Sequence, residues 1–116
     1  MMDIFDNWTV QVRKGLLELC ILNALASRER YGYDLVKTLV EAPGLGVTEG
    51  TLYPLLSRLR VGGLVQTRLE ESSEGPARKY YTLTPEGRRI MGLMNDYLAR
   101  LNQGVRLLQE KGTTHE

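Results

Sequence analysis

"TEGTLYPLLSRL", residues 48–59, decides how this chain is read: its leucines ask for a helix, while Gly50 and Pro54 resist one. Successive helical residues lie about 100° apart, which gathers Leu52, Leu55, Leu56 and Leu59 into one apolar stripe of the kind that packs on a core. The opposite side then falls on Gly50, Pro54, Ser57 and Val61, all small or compact. Tyr53 and Arg60 stand on one shoulder, Thr51 and Arg58 on the other. Thr48 is placed to open the helix, since its hydroxyl can accept an N–H of the first turn. Pro54 forfeits one helical hydrogen bond, frees a carbonyl near Gly50 and costs about 3 kcal/mol in an unsupported helix, so a slight bend or a tightened first turn is expected. An alternative start makes Thr51 the cap and leaves Pro54 harmlessly in the first turn. Helix signals alone leave both starts open.

A helix with a bare outer face suits the major groove of DNA, where bulky leading side chains would hold the backbone off. The shoulders then supply the chemistry. The Thr51 and Ser57 hydroxyls suit phosphates or base edges, the Tyr53 phenol a phosphate, and Arg58 or Arg60 a phosphate or a guanine edge.

Working outward, apolar residues from Val10 to Ala26 occupy nearly every helical direction, interrupted only by Glu18 and Asn23, so that helix needs more than one neighbour. "YGYDLVKTLVEA" predicts a second helix that stops at Pro43 and its glycines. Beyond the quoted stretch, which ends at Gly62–Gly63, "LVQTRLE" and "RKYYTLT" read as two short strands joined by a long loop, "ESSEGPA". "TPEG" then starts a last helix, with Thr84 as cap and Pro85 where its missing N–H costs nothing. That helix runs to about Glu110, leaving "KGTTHE" as a frayed tail. Three helices, a hairpin and a helix make a mainly α fold with a small β-hairpin, a winged helix-turn-helix over residues 1–83 with a long C-terminal dimerisation helix and short tail over 84–116.

The hairpin tips the balance towards DNA. Arg78 and Lys79 at the base of its loop are expected to clamp phosphates beside a groove-bound helix. Its Glu70, Glu71 and Glu74 dissent, and are expected to point away from DNA or to keep the tip out of a groove. Over residues 49–89 seven basic residues face five acids, a local balance of +2, against +1 for the whole chain. Pattern therefore carries more of the decision than charge does.

Along the last helix Ile90, Met94, Tyr97, Leu101, Val105 and Leu108 recur at steps of three and four. So long a face predicts cover by a second copy, packed with help from the first helix, rather than a fold back onto its own domain. Gly92 and Gly104 are tolerable where two backbones come close. A two-fold dimer presents two reading helices to a palindromic operator.

The 116 residues amount to one small domain. Cys20 is a lone cysteine inside an apolar helix, His115 stands alone near the end, and no serine has a histidine base, so neither enzyme chemistry nor a metal or cofactor site is expected. The absence of a charged-then-apolar leader and of a bilayer-length apolar run points to a cytoplasmic protein without a membrane anchor.

"RKGLLELCILNAL", "YGYDL", "GTLYPLLSRL", "GLV" and "EGPARKYYTLTPEG" together resemble the PadR family of bacterial transcriptional regulators, over about residues 10–98, and the chain is most similar to the short subfamily with one C-terminal helix. The resemblance implies a dimeric winged-helix repressor with Thr51, Tyr53 and Arg58 as groove-helix contacts and Arg78 and Lys79 as wing contacts. Many relatives carry a second proline where this chain has Ala77. Family members are often released from DNA by a small aromatic or drug-like effector. Trp8, Phe5 and Tyr97 could line such a pocket, although an N-terminal Trp and a helical Tyr more often complete a dimer core. The competing class is a winged-helix module that binds another protein through the same helix and hairpin, without reading DNA.

Overall fold

The computed structural model describes residues 3–113 as α1 (Ile4–Ala24), β1 (Arg30–Tyr31), α2 (Gly32–Glu41), α3 (Glu49–Val61), β2 (Val65–Ser72), β3 (Gly75–Leu83) and α4 (Pro85–Gly112). The sheet is antiparallel in the order β1-β3-β2. Its core joins Ile21, Leu22 and Leu25 at the end of α1 to Leu35, Val36 and Leu39 of α2, to Leu52, Leu56 and Leu59 of α3, and to Val65, Tyr81 and Leu83 of the sheet. α1, α2 and α3 thus each place an i, i+3, i+4 stripe against the others, and the wing is sealed onto them at its base. This is the winged-helix arrangement with a long C-terminal helix.

Several boundaries differ from the sequence reading. α1 starts at Ile4 rather than Val10, because the Asp3 carboxylate accepts the Asp6 N–H at 2.8 Å and nucleates the helix ahead of its apolar run. β1 went unread: two residues, Arg30 and Tyr31, are too few to show a pattern, and they are strand only because they pair with Tyr81 and Tyr80. The long hairpin loop is instead a tight turn at Ser73–Glu74, with Ser72 paired to Gly75 and an irregularity between Glu70 and Ser72. Ladder hydrogen bonds there outweigh the turn-forming composition. α4 continues to Gly112, so Lys111 and Gly112 belong to the helix rather than to a frayed tail. His115 lies outside the described residues.

α3 and α4 are joined at a single point. α3 closes with the hydrogen bonds of a Schellman motif, Gly63 N–H to the Arg60 carbonyl at 3.1 Å and Leu64 N–H to Leu59 at 3.0 Å, with Gly63 at φ 80°. The Leu64 carbonyl then accepts the N–H of Thr84 at 3.1 Å, and the Thr84 hydroxyl donates to the Gly63 carbonyl at 2.7 Å while accepting from the Gly87 N–H at 2.9 Å. Gly87 is buried, and a Cβ there would collide with the Leu64 carbonyl. The glycine is what lets the first turn of α4 rest on the end of α3.

α4 then leaves the domain. Ile90, Met91 and Met94 pack on the chain's own core, and Asn95 and Asn23 of α1 exchange amide hydrogen bonds at 2.8 and 3.1 Å. Farther along, Tyr97, Leu101, Val105, Leu107 and Leu108 are exposed, Leu108 at 71%. The molecule measures 70 × 37 × 21 Å with a radius of gyration of 17.6 Å, against about 13 Å for a compact domain of this length.

Gly87→Ala is expected to destabilise the chain by roughly 2 kcal/mol or more through backbone displacement, and Thr84→Ala by about 1 kcal/mol through loss of the cap. Urea unfolding followed by circular dichroism checks both; equal midpoints for Gly87→Ala and the parent would refute the close-contact account.

Candidate nucleic-acid interface

α3 begins at Glu49, so Thr48 rather than Thr51 is the N-cap and Pro54 lies in the helix interior. The Thr48 cap works through its backbone. Its carbonyl accepts from Thr51 and Leu52 at 3.1 and 3.2 Å, while its hydroxyl sits 3.4 Å from that of Thr51 instead of capping the first turn as expected. Lacking an N–H, Pro54 cannot bond the Gly50 carbonyl.

The two sides of the helix differ as their residues dictate. Leu52, Leu56 and Leu59 are buried and Leu55 is half-buried, whereas Gly50, Pro54, Ser57 and Val61 are all exposed, Val61 at 77%. A Cβ built on Gly50 meets nothing closer than the Thr48 hydroxyl at 3.9 Å. No other element covers this face, and nothing long projects from it. The shoulders have different neighbours. Arg58, beside Thr51, donates Nη2 to the Glu18 carboxylate of α1 at 3.1 Å. Tyr53 and Arg60 face the sheet: burial first, then Tyr53, pushes the Tyr81 phenol above its ordinary pKa, while Arg60 pulls it down.

The wing separates the two cations expected to clamp phosphates. Alternation along β3 puts Lys79 on the same sheet face as buried Tyr81, the face that packs on the helices, and Arg78 on the other. There Arg78 stands opposite Glu70, its guanidinium carbon 5.1 Å from the centre of the Tyr31 ring. Arg68 on that same outer face is fully engaged, with two bonds to Glu29 at 2.8 and 2.6 Å and its guanidinium 4.6 Å from the Tyr80 ring centre. Glu70 is thus drawn to Arg68, 3.9 Å away. Leu69, opposite Lys79, is 67% exposed on the inner face.

Residues 21–92 match the model of the transcriptional regulator PadR-like family. This chain belongs to the PadR-like family of transcriptional regulators. A PadR-like transcription factor from Bacteroides fragilis is 43% identical, with a TM-score of 0.74 over 89% of this chain and 99% of that one. A PadR family regulator from Eggerthella lenta is 34% identical with a TM-score of 0.80, covering 93% and 94%. A transcriptional regulator of Mycobacterium tuberculosis is 36% identical over 81 residues, 70% of this chain and 74% of that protein. The PadR-like chain is accordingly a DNA-binding regulator and not an enzyme.

In this PadR-like regulator the residues singled out from sequence divide into three places. Thr51, Tyr53, Ser57 and Arg58 are all exposed on α3, Lys79 and Arg78 lie on opposite faces of the wing, and Tyr97 lies on α4. Between α1 and α4 runs a groove of about 650 Å³, lined chiefly by Val12, Leu16, Leu19, Leu93, Tyr97 and Leu101. Trp8 does not line it: near the start of α1 it stacks on Phe5, ring centres 6.3 Å apart, and both are exposed. The sequence reading had no means of seeing that Glu18 reaches Arg58 or that Arg68 is held by Glu29, because both pairings cross between elements. Among the described residues, no three His, Cys, Asp or Glu side chains gather as a metal site would require, and no helix is long and apolar enough to cross a membrane.

The hydrogen bonds from Arg68, with its charge, hold the Glu29 carboxyl below the ordinary glutamate pKa. A depressed carboxyl pKa means that the pairing contributes above the ordinary value and is lost as pH falls through the depressed one. Arg68→Ala is therefore expected to return the Glu29 pKa upward, read by NMR titration of its side-chain carboxyl; no movement would show that the pair does not persist in solution.

Proposed function

We propose that the chain is a homodimeric, sequence-specific repressor that reads a palindromic operator with α3. The observation that carries this reading is the division of α3 into a buried leucine stripe and an exposed, bare Gly50/Pro54/Ser57/Val61 face. Such a face lets the helix backbone approach base edges, leaving Thr51, Tyr53, Ser57, Arg58 and Arg60 around its rim to reach bases and phosphates. Lys79, on the face of the wing shared with the helices, is the stronger wing contact; Arg78, on the outer face, contributes less.

Dimerisation is supported by the half of α4 that its own domain leaves uncovered. Tyr97, Leu101, Val105 and Leu108 continue the stripe that Ile90 and Met94 begin inside the chain, and Ile4, Phe5 and Trp8 of α1 are exposed as well. A second copy buries both sets, and its two-fold axis sets two α3 helices on two half-sites. The α1/α4 groove has the size and apolar lining of a small-molecule site, which supports placing there, beside Tyr97, the aromatic effector that would relieve repression.

Selection of bound fragments from the source genome is expected to return sites with two-fold symmetry, bound less tightly as salt rises. Ser57→Trp is expected to keep the fold and lower binding to the non-specific level, roughly 10³-fold or more weaker. Lys79→Ala should reduce the salt slope by about 1 and Arg78→Ala by less. Binding by fluorescence anisotropy that ignores both salt and Ser57→Trp would turn the reading towards a protein-binding wing. Leu101→Glu with Leu108→Glu is expected to give a monomer in sedimentation equilibrium; a dimer retained by that variant would rule out the α4 interface.

A further inference from the structure

Glu18 stands at a junction that neither the winged-helix fold nor its reading face requires. It interrupts the apolar run of α1 and lines the α1/α4 groove, and among the described residues of that lining it alone is charged. The same carboxylate accepts the Arg58 guanidinium at 3.1 Å, and this is the one side-chain hydrogen bond that Arg58 makes among the described residues. Both side chains remain in reach of solvent, Arg58 at 66% and Glu18 at 38%. A pair so exposed does not lock the arginine; it competes with other anions for it.

We propose that Glu18 is a positioning residue for DNA binding: by holding Arg58 against α1 it sets how much of that charge α3 delivers to the phosphates. The proposal rests on the reading of α3 as the DNA-contacting helix. Arg58 lies on the shoulder of α3 turned towards α1, so a phosphate beside the bare face competes with Glu18 for the guanidinium. Because Glu18 also forms part of the groove wall, apolar atoms that replace groove water lower the dielectric near its carboxylate and strengthen its hold. Packing against α1 and α4 is thereby felt at the reading helix.

The test is a double-mutant cycle on the full chain, with Glu18→Gln, Arg58→Ala and the combined variant titrated against a selected genomic fragment at several salt concentrations. Glu18→Gln is expected to tighten binding about two- to fivefold, the range of an exposed pair, and to steepen the salt slope by up to about 0.9 as one more contact releases a counterion. In the Arg58→Ala background the same substitution should change neither. An equal gain in both backgrounds would show that Glu18 acts only as a repelling charge, and unchanged or weaker binding by Glu18→Gln alone would show that it does not withhold Arg58; either overturns the proposal. If the parent chain binds no fragment, the DNA reading itself fails, before any variant is compared. Arg58 is exposed and Glu18 partly so, and thermal melts confirm that each variant is folded.

Discussion

Burial of Leu52, Leu56 and Leu59 is the constraint from which the rest of the molecule follows. These three side chains are at most 2% exposed, packed among residues from both preceding helices and from the sheet. Removing one of them from water is worth roughly 2 kcal/mol, enough together to offset a proline and a glycine in a thirteen-residue helix. The same burial fixes the rotation of α3 about its own axis. With the leucines held inside, the Gly50/Pro54/Ser57 side has only one direction to face, and the outer surface of the helix is defined by what those residues lack.

The junction of α3 with α4 extends this constraint outward. The Schellman motif presents the Leu64 carbonyl, Thr84 bonds it, and Gly87 allows the first turn of α4 to settle upon it. A side chain at that glycine would tilt the helix at its base, and a tilt at the base is magnified along twenty-eight residues. The reciprocal amide pair of Asn23 and Asn95 fixes the same helix a second time, against α1. Two fixed points define the direction of a rod, so the exposed half of α4 holds a set angle to α3. In a two-fold assembly that angle would determine the spacing of two α3 helices on DNA.

Most of the architecture could be read from the chain because its signals are local. The 3.6-residue leucine spacing in α3, the Thr-Pro-Glu start of α4 and the glycines after Val61 each act within a few residues of where they are written. The α3 face was legible for that reason. What escaped was set by distant partners. Two residues become β1 only by pairing with Tyr80 and Tyr81, and a run of serines and glutamates becomes strand because the opposite strand supplies its hydrogen bonds. The stripe on α4 was read as one face, yet Ile90 and Met94 serve the chain's own core while the residues beyond do not, a division that depends on where α1 and the sheet end. Arg78 and Lys79 looked like one clamp. Strand alternation puts them on opposite faces of the wing.

The wing's glutamates, awkward neighbours for phosphate, have a use once the strand order is considered. β2 ends the sheet, and along much of β3 the opposite side is also unpaired, since β1 reaches only Tyr80 and Tyr81. An open row of amides and carbonyls invites a strand from another molecule, and such stacking leads to aggregates. Glu70 and Glu71, with the irregularity beside them, put charge and a kink on the β2 side, while Pro76 deprives β3 of a donor. A regulator must stay dispersed while it searches a genome, and these residues keep a two-stranded projection from adhering to its own kind.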